Sequence, residues 1–304
     1  MRRRPMSLVQ EVANIWRLLT EHPLTRRRPA AAIERFLRWQ IAARIHDVPR
    51  VVGFVDSSRL VVRRGMSGAT GNIYVGLMEY EDMSFLLHFL REDDVFLDVG
   101  ANVGAYTVLA AAVRGARAIA VEPIAASVQS LRDNLRINGV ADRVQLLQTA
   151  VGEVEGVVSF SEELDTVNHV LDGADEPAVK AIRVPMTTLD SICSQACPSL
   201  IKMDVEGFEL PALRGGGKVL ASPDCRAVII EINGSGRRYG VEDEEIDAEL
   251  RKFGFTPAAY EPEARRLTAR ESFANRNTIY VKDLEQAQGR LRAAPDFEVL
   301  GGRL

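Results

Sequence analysis

The sequence predicts an α/β protein built on a doubly wound, mainly parallel sheet, with a helical and β-rich leader at its N-terminus. From about residue 91, short and fully apolar runs alternate with amphipathic stretches at helical spacing. Strands that helices cover on both faces have this pattern. The first run ends in a glycine-rich turn that opens a helix. With 304 residues, of which 46% are hydrophobic and 26% charged, the chain can bury a large core, and this composition excludes the disordered classes.

Two helices are predicted in an Arg-rich N-terminal extension, residues 1–50. Apolar residues recur there at helical spacing, first at Leu8, Val12, Ile15, Trp16 and Leu19, then at Ile33, Phe36, Leu37 and Ile41. The extension holds eleven Arg and four acidic residues, a charge of +7, against −11 in the rest of the chain. We interpret these arginines as a solvated face. The alternatives are contacts with an anionic substrate, a membrane surface or a partner.

Residues 51–90 are predicted to form a small β-rich leader that packs on the main domain. Strand-like runs punctuated by glycine indicate this, at 51–55, 60–62 and 71–76.

The main domain is predicted over residues 91–283. Apolar runs predict strands at 95–97, 118–121, 144–147, 200–203 and 228–230. A helix with Ile124, Val128, Leu131 and Leu135 on one face stops at the cap signal Asn138-Gly139. Residues 152–187 predict an inserted strand pair, and further on a helix at 243–253 and a late strand at 278–281 are expected. Residues 284–304 are predicted to be a short helix and a loose C-terminal tail.

The composition also excludes several functional classes. A net charge of −4 provides no basic field for nucleic acid, and no nucleic-acid partner is expected. Three cysteines without a CxxC pair form no disulfide framework, which indicates a reducing compartment. No apolar run approaches the roughly 18–20 residues that span a bilayer, and the first residues lack the apolar centre of a signal peptide. We therefore expect a soluble, cytoplasmic protein without a transmembrane segment; its oligomeric state stays open.

The turn after the first buried strand is the most informative stretch. Its glycines, Gly100 and Gly104, let a ligand approach the backbone where the first N–H groups of a helix face it. The turn lacks the third glycine of the dinucleotide fingerprint, and Asp98 at the end of the strand would repel a pyrophosphate. Glu122 ends the next strand, 22 residues after Gly100, where an acid can accept hydrogen bonds from both ribose hydroxyls.

Two acids and a glycine turn suit a nucleoside that carries a positive group and no phosphate, which is S-adenosylmethionine (SAM). The alternative is that Asp98 only caps the helix and Glu122 lies on the surface.

Five motifs occur together along the chain, namely Asp98-Val-Gly100-Ala-Asn102-Val-Gly104-Ala-Tyr106-Thr107, Glu122-Pro123, Thr188-Leu189-Asp190, Lys202-Met-Asp204-Val-Glu206-Gly207-Phe-Glu209 and Ile230-Glu231-Ile232. Their combination resembles the FkbM-type SAM-dependent methyltransferases over residues 71–282. The resemblance implies the Rossmann-like fold of class I SAM methyltransferases, with a seven-stranded sheet whose last strand is reversed. It also implies O-methylation of a hydroxyl on a sugar, a glycolipid or a polyketide. It does not cover the N-terminal extension or residues 283–304.

The resemblance further implies which residues bind the cofactor. The turn with Gly100 and Gly104 and the start of the helix behind it would contribute most of the binding residues. Glu122 would hold the ribose, and Val151 would face the adenine. The implied cofactor-binding residues are Asp98, Gly100, Asn102, Gly104, Tyr106, Thr107, Glu122 and Val151.

Three charged residues lie at the carboxyl end of the fourth strand, at the edge where open α/β sheets bind ligands. Alternation along an extended chain would place Lys202, Asp204 and Glu206 on one side. An alcohol acceptor must lose a proton, so our hypothesis is that Asp204 or Glu206 acts as the general base and Lys202 orients one of them. The alternative is a salt-bridged strand end that fixes the turn at Gly207. His169 is a rival base.

The remaining candidates concern metals and the acceptor. Asp204, Glu206 and Glu231 offer oxygen atoms that suit Mg²⁺, but the chain has no His and Cys cluster and no metal is predicted. Tyr74, Glu79 and Met83 are interpreted as core rather than as an acceptor pocket.

The predicted function is therefore SAM-dependent methylation of a small hydroxylated acceptor, such as a sugar or a natural product. An NAD-dependent Rossmann oxidoreductase is the alternative enzyme. A catalytically silent SAM-binding module whose Arg-rich extension docks a partner is the third interpretation. The identity of the acceptor and N- or C-methylation stay open.

Overall fold

The structure is a computed structural model that describes residues 8–45, 48–161, 170 and 181–304. Two helices, a hairpin and two further helices precede the central sheet, with the bounds α1 (Leu8–Glu21), α2 (Pro29–Ile45), β1 (Arg50–Gly53), β2 (Arg59–Val62), α3 (Ser67–Val75) and α4 (Tyr80–Phe89). The two helices predicted from the spacing of apolar residues in the N-terminal extension are confirmed.

The leader contains less β-structure than predicted, because residues 71–76 end a helix instead of forming a strand. Gly76 stops α3 with a φ of +87°, and the Asn72 carboxamide oxygen accepts a hydrogen bond from the Met78 N–H just after it. The Arg35 guanidinium on α2 donates to the Tyr74 carbonyl at the end of the helix. These tertiary contacts override the strand preference of this short β-branched run.

The elements of the first half of the main domain are β3 (Val95–Val99), α5 (Ala105–Val108), β4 (Arg117–Val121), α6 (Ala125–Ile137), β5 (Val144–Leu147), β6 (Ala150–Val151), β7 (Gly156–Ser161), β8 (Ala181–Thr187) and α7 (Leu189–Ile192). Those of the second half are β9 (Leu200–Met203), α8 (Glu209–Arg214), α9 (Gly217–Ala221), β10 (Ala227–Glu231), α10 (Asp243–Lys252), β11 (Thr256–Glu261), β12 (Arg266–Ala269), β13 (Asn277–Val281), α11 (Leu284–Arg292), β14 (Glu298–Val299) and β15 (Gly302–Arg303).

The central sheet has eight strands in the order β12-β11-β13-β10-β9-β3-β4-β5. Strands β5, β4, β3, β9 and β10 are parallel, and β13 is antiparallel to β10. The doubly wound α/β prediction with a reversed late strand is thereby confirmed, but the predicted number of seven strands is too small. The added strand, β12, has one buried residue, Leu267, and so carries no apolar run in the sequence.

The sheet divides the core into two layers, because its central strands are buried on both faces. All residues of β3 and β9 are buried. Apolar side chains of β3 join one layer at Phe96 and the other at Leu97. The chain continues from β3 toward β4 and β5 on one side, and returns through β9 and β10 on the other. The reversal between β3 and β9 is the position where open α/β sheets form a ligand crevice at the carboxyl ends of their strands.

The inserted strand pair is confirmed, since β7 and β8 pair antiparallel, and β6 joins β8 in a three-stranded sheet. The prediction of a loose C-terminal tail is wrong. After α11, the strands β14 and β15 form a hairpin that buries Phe297 and Val299, and Val299 bridges to Val55 of the leader. Apolar anchoring therefore orders this end of the chain. Within the described ranges, no helix is both long and apolar enough to cross a bilayer.

Candidate active site

A cavity of 1310 Å³ lies at the carboxyl ends of the parallel strands. The turn after β3 and the end of β4 line one wall, and the segment after β9 and the end of β10 line the facing wall. Residues that precede the sheet, such as His22 and Tyr80, line the remainder. Pockets for one small molecule measure about 300–1,000 Å³. This cavity therefore has room for two ligands side by side.

Glycine is required at two positions of the turn. Gly100 has a φ of +80°, and a Cβ there would lie 1.9 Å from the Asp204 carbonyl oxygen. Gly104 has a φ of +85°, and its Cβ would lie 2.0 Å from Cδ1 of Leu131 on α6. The first glycine lets the ends of β3 and β9 approach each other, and the second lets α6 pack behind the turn. Gly104 does not line the cavity itself.

Asp98 is the buried acid at the start of the turn, with 2% of its surface exposed. The Thr107 hydroxyl donates a hydrogen bond of 2.5 Å to its Oδ2. Burial raises the pKa of Asp98 to about 6, against the lowering effect of Thr107 and Lys202. Thr107 is completely buried and lies outside the cavity wall, so the structure places it behind Asp98 rather than against a ligand.

Glu122 faces Asp98 from the neighbouring strand end, and both acids line the cavity. Its two carboxylate oxygens accept hydrogen bonds of 2.9 Å, Oε2 from the Asn102 N–H and Oε1 from the Ile124 N–H. Asn102 adopts a left-handed φ of +50° to make this contact. Burial raises the pKa of Glu122 to about 7, although both backbone bonds lower it. Val151 completes this wall as a buried apolar residue.

The facing wall begins with Lys202, whose side chain is only 3% exposed. Its Nζ lies 3.3 Å from Oδ2 of Asp204 and 3.4 Å from Oδ1 of Asn277, and it lies over the Tyr106 ring at 5.4 Å from the ring centroid. Burial alone would lower the pKa of Lys202, but the surrounding carboxylates, led by Asp204, raise it overall. The ammonium group therefore stays charged and balances an acidic pocket.

Asp204 and Glu206 lie in the same wall as Lys202, and the structure adds Glu231 from the end of β10. Single oxygen atoms of these three carboxylates lie within 4.8 Å of one another. Burial, then the charge of Asp204, raises the pKa of Glu206 to about 7 and that of Glu231 to about 8. Such a trio could hold a divalent cation or exchange protons with a bound substrate.

Glu79, Asp82 and Asn277 also line the cavity. The sequence pattern favours a core position for Glu79 and does not single out Asp82 or Asn277. The Asn277 amide donates a hydrogen bond of 2.5 Å to Glu79, and burial, then Glu79, raises the pKa of Asp82 to about 7. The buried Tyr106 hydroxyl has no hydrogen-bond partner of ordinary geometry among the described residues. The spacing of Glu79 and Asp82, one turn apart at the start of α4, was the available sequence signal.

The other acceptor-pocket candidates separate in space. Met83 lines the cavity, whereas the Tyr74 ring packs edge-on against Phe36 away from it. His169 lies outside the described residues.

The strand order, the glycine turn with its two acids and the facing carboxylates define an α/β protein with a ligand crevice at the carboxyl ends of its parallel strands. The family profile of the methyltransferase FkbM domain matches residues 98–257, and the chain belongs to this family.

A curated relative, the hexuronic acid methyltransferase AglP of Haloferax volcanii, is 27% identical over 155 residues. The match covers 51% of this chain and 62% of AglP, which is less than two thirds of the relative's own length.

Two solved structures also resemble the chain. One is M. jannaschii TYW2 in complex with AdoMet, with a TM-score of 0.40 and 12% identity over 78% of this chain and 86% of that one. The other is an rRNA methylase from Streptococcus thermophilus, with a TM-score of 0.38 and 13% identity over 66% of this chain and 91% of that one. These TM-scores are too low to transfer a function.

Proposed function

We propose that this chain transfers a methyl group from SAM to a hydroxyl group of a small sugar-like acceptor. One observation carries the proposal: a single cavity has two buried acids beside a glycine turn on one wall and three clustered carboxylates on the facing wall. Family membership supports methyl transfer and weighs against an NAD-dependent oxidoreductase.

The first wall fits SAM. A buried carboxylate at Asp98 complements a cationic amine, and Glu122 presents two carboxylate oxygens held by backbone N–H groups. Val151 offers an apolar surface to a purine ring, and the Tyr106 ring adds an aromatic surface in the same cavity. When bound, SAM supplies an electrophilic methyl group on a sulfonium.

Glu206 is the base that the geometry favours. Asp204 is engaged by the Lys202 ammonium at 3.3 Å, which keeps its carboxylate oriented. Glu206 lies next to it in the cavity, with its pKa raised to about 7 by burial, and a base is most effective when its pKa is near the working pH. Glu206 would accept the proton of the acceptor hydroxyl. Asp204 and Lys202 would hold that hydroxyl in position.

The remaining volume suits a polyhydroxylated acceptor. Glu79 and Asp82 line it together with Asn277, and carboxylate and amide groups exchange hydrogen bonds readily with hydroxyls. The named activity of AglP is in keeping with a sugar. The excess of carboxylates favours a neutral or amino sugar over an acidic one, because like charges repel at short range.

Methyl transfer can be tested with SAM labelled in its methyl group and a panel of neutral sugars, amino sugars and uronic acids. We expect label in at least one neutral or amino sugar, in a form stable to mild alkali, as a methyl ether is and a methyl ester is not. Glu206→Gln should reduce transfer at least about 100-fold with unchanged affinity for S-adenosylhomocysteine. Glu244→Gln, an exposed carboxylate on α10, serves as the matched control.

Three results would count against this assignment. Alkali-labile label would mean that a carboxylate is the acceptor. Full turnover in Glu206→Gln would mean that the three carboxylates only stabilise the end of the strand and take no part in catalysis. Tight binding of S-adenosylhomocysteine without transfer to any acceptor would favour the silent SAM-binding module.

A further inference from the structure

We propose that the two N-terminal helices bind the surface of an anionic lipid membrane. Of the twelve large apolar residues that are exposed among the described residues, eight lie between residues 12 and 51. Five of these residues form two exposed apolar stripes, Val12 and Trp16 on α1 and Leu37, Ile41 and Ile45 on α2, each between 51% and 65% exposed. We call the two stripes together the helical face.

Both helices carry more apolar residues at helical spacing than the fold buries. On α1, the stripe formed by Val12, Ile15, Trp16 and Leu19 is buried only at Leu19. On α2, Ala32, Trp39 and Ala43 face the core, whereas the residues of the helical face recur every fourth position on a different side. When a helix also exposes apolar residues on the side that faces away from the protein core, that side can bind a lipid or protein surface.

The same stretch of the chain is rich in arginine. The exposed arginines Arg17, Arg27 and Arg28 form no ion pair with any residue in the described ranges, and residues 1–50 carry a charge of +7. A second copy of the chain would bring the same positive charge against this face and be repelled. Exposed aliphatic and Trp side chains combined with Arg match an anionic bilayer, which accepts apolar groups below a layer of negative headgroups.

Helix α1 also reaches the cavity. Leu18 on α1 and His22 just after it line the cavity, and the exposed apolar residues of α1 precede them in the same helix. Met78, 42% exposed, lines the cavity as well. If the proposed function holds, a membrane-bound chain would take its acceptor from the lipid surface. Membrane binding itself does not rest on methyl transfer.

Binding can be measured by sedimentation of the full chain with vesicles of phosphatidylcholine, with and without phosphatidylglycerol. We expect binding to the vesicles that contain phosphatidylglycerol, and weakening by salt. The double variant W16S/I41S should bind at least about tenfold more weakly, and R27S/R28S about fivefold more weakly for each arginine removed. V154S/V157S is the matched control, because these side chains are 62% and 56% exposed on a distant part of the chain.

Tryptophan fluorescence provides a second readout. The chain has two tryptophans, and Trp39 is buried whereas Trp16 is exposed. Phosphatidylglycerol vesicles should shift the emission of the wild-type chain to the blue and leave W16F unchanged.

Several results would overturn the proposal. Equal binding of the wild-type chain, W16S/I41S and V154S/V157S would do so, as would absence of binding to either vesicle. A dimer that W16S/I41S dissociates, or retention of an acidic protein instead of vesicles, would also contradict it. Unchanged S-adenosylhomocysteine affinity and melting temperature in each variant show that the fold is intact, and keep this test separate from that of methyl transfer.

Discussion

The α-carbon of Gly100 faces the backbone carbonyl of Asp204 so closely that a Cβ at Gly100 would lie 1.9 Å from that oxygen. This contact joins the two halves of the site, because Gly100 belongs to the turn beside Asp98, and Asp204 belongs to the carboxylate wall. A methyl group at Gly100 would force the two halves of the site apart, so the shape of the cavity depends on glycine at this position.

Gly100→Ala should therefore destabilise the chain by at least about 3 kcal/mol more than Gly139→Ala. Both glycines have a positive φ, but nothing lies within 4 Å of a Cβ at Gly139, so that variant should lose only the ~1–2 kcal/mol of left-handed strain. Urea unfolding measures both. Similar losses in the two variants would mean that the strand ends can separate freely.

Thr107→Val should weaken binding of S-adenosylhomocysteine about tenfold near pH 7. The Thr107 hydroxyl bonds to the ionised Asp98 and lowers its pKa, so loss of the hydroxyl raises that pKa and leaves more of the acid protonated. The loss should be smaller near pH 9, where Asp98 is ionised in either case. Calorimetric titration at both pH values tests this, with Thr107→Ser as control. A loss independent of pH would point to packing instead.

Lys202→Met should destabilise the chain by about 3–5 kcal/mol near pH 8 and less near pH 5. Its ammonium offsets Asp204, Glu79, Asp82 and Glu231, which would be left as unbalanced buried charges when ionised. Protonation at low pH removes part of that repulsion. Lys252→Met is the control, since Lys252 is 65% exposed and contacts a single carboxylate, that of Glu249. Equal effects of the two variants would contradict this electrostatic role.

The unfolding free energy of the wild-type chain should fall between pH 5 and 8, and Glu231→Gln should make this fall smaller. The folded chain holds a proton on Glu231 with a pKa of about 8, against an ordinary value of 4.5. The stability from that proton is present below the ordinary value and is lost as pH rises through about 8. Since Glu231 is only partly buried, we expect a gain of about 1–2 kcal/mol at pH 8. A profile parallel to that of the wild-type chain would be inconsistent with this shift.

The sequence anticipated those parts of the site that lie at strand ends. Asp98 and Glu122 lie at the ends of neighbouring parallel strands, and Lys202, Asp204 and Glu206 lie at the end of a third. Sheet geometry alone therefore brings them to one edge. Glu79 precedes the leader helix α4, Asp82 lies in the first turn of that helix, and Asn277 begins the reversed strand. The spacing of Glu79 and Asp82 indicates one shared helix face, but only tertiary packing brings that face to the strand ends. The cofactor and catalytic roles assigned to these residues stay predictions.

The fold shows the same division. Long apolar runs such as β3 and β10 were predicted, because burial on both faces requires them. The edge strand β12 buries one residue, and the C-terminal hairpin is ordered through Phe297 and Val299 by contacts with the leader and the core. Residues 71–76 form a helix, since packing against α2 outweighs their intrinsic preference.

Calorimetric titration with S-adenosylhomocysteine and, separately, with NAD tests whether this cavity binds SAM, using the wild-type chain, Asp98→Asn and Glu122→Gln. We expect that S-adenosylhomocysteine binds, that NAD does not, and that each substitution weakens binding at least about tenfold. Binding of NAD alone, or equally tight binding of S-adenosylhomocysteine by all three proteins, would contradict this expectation.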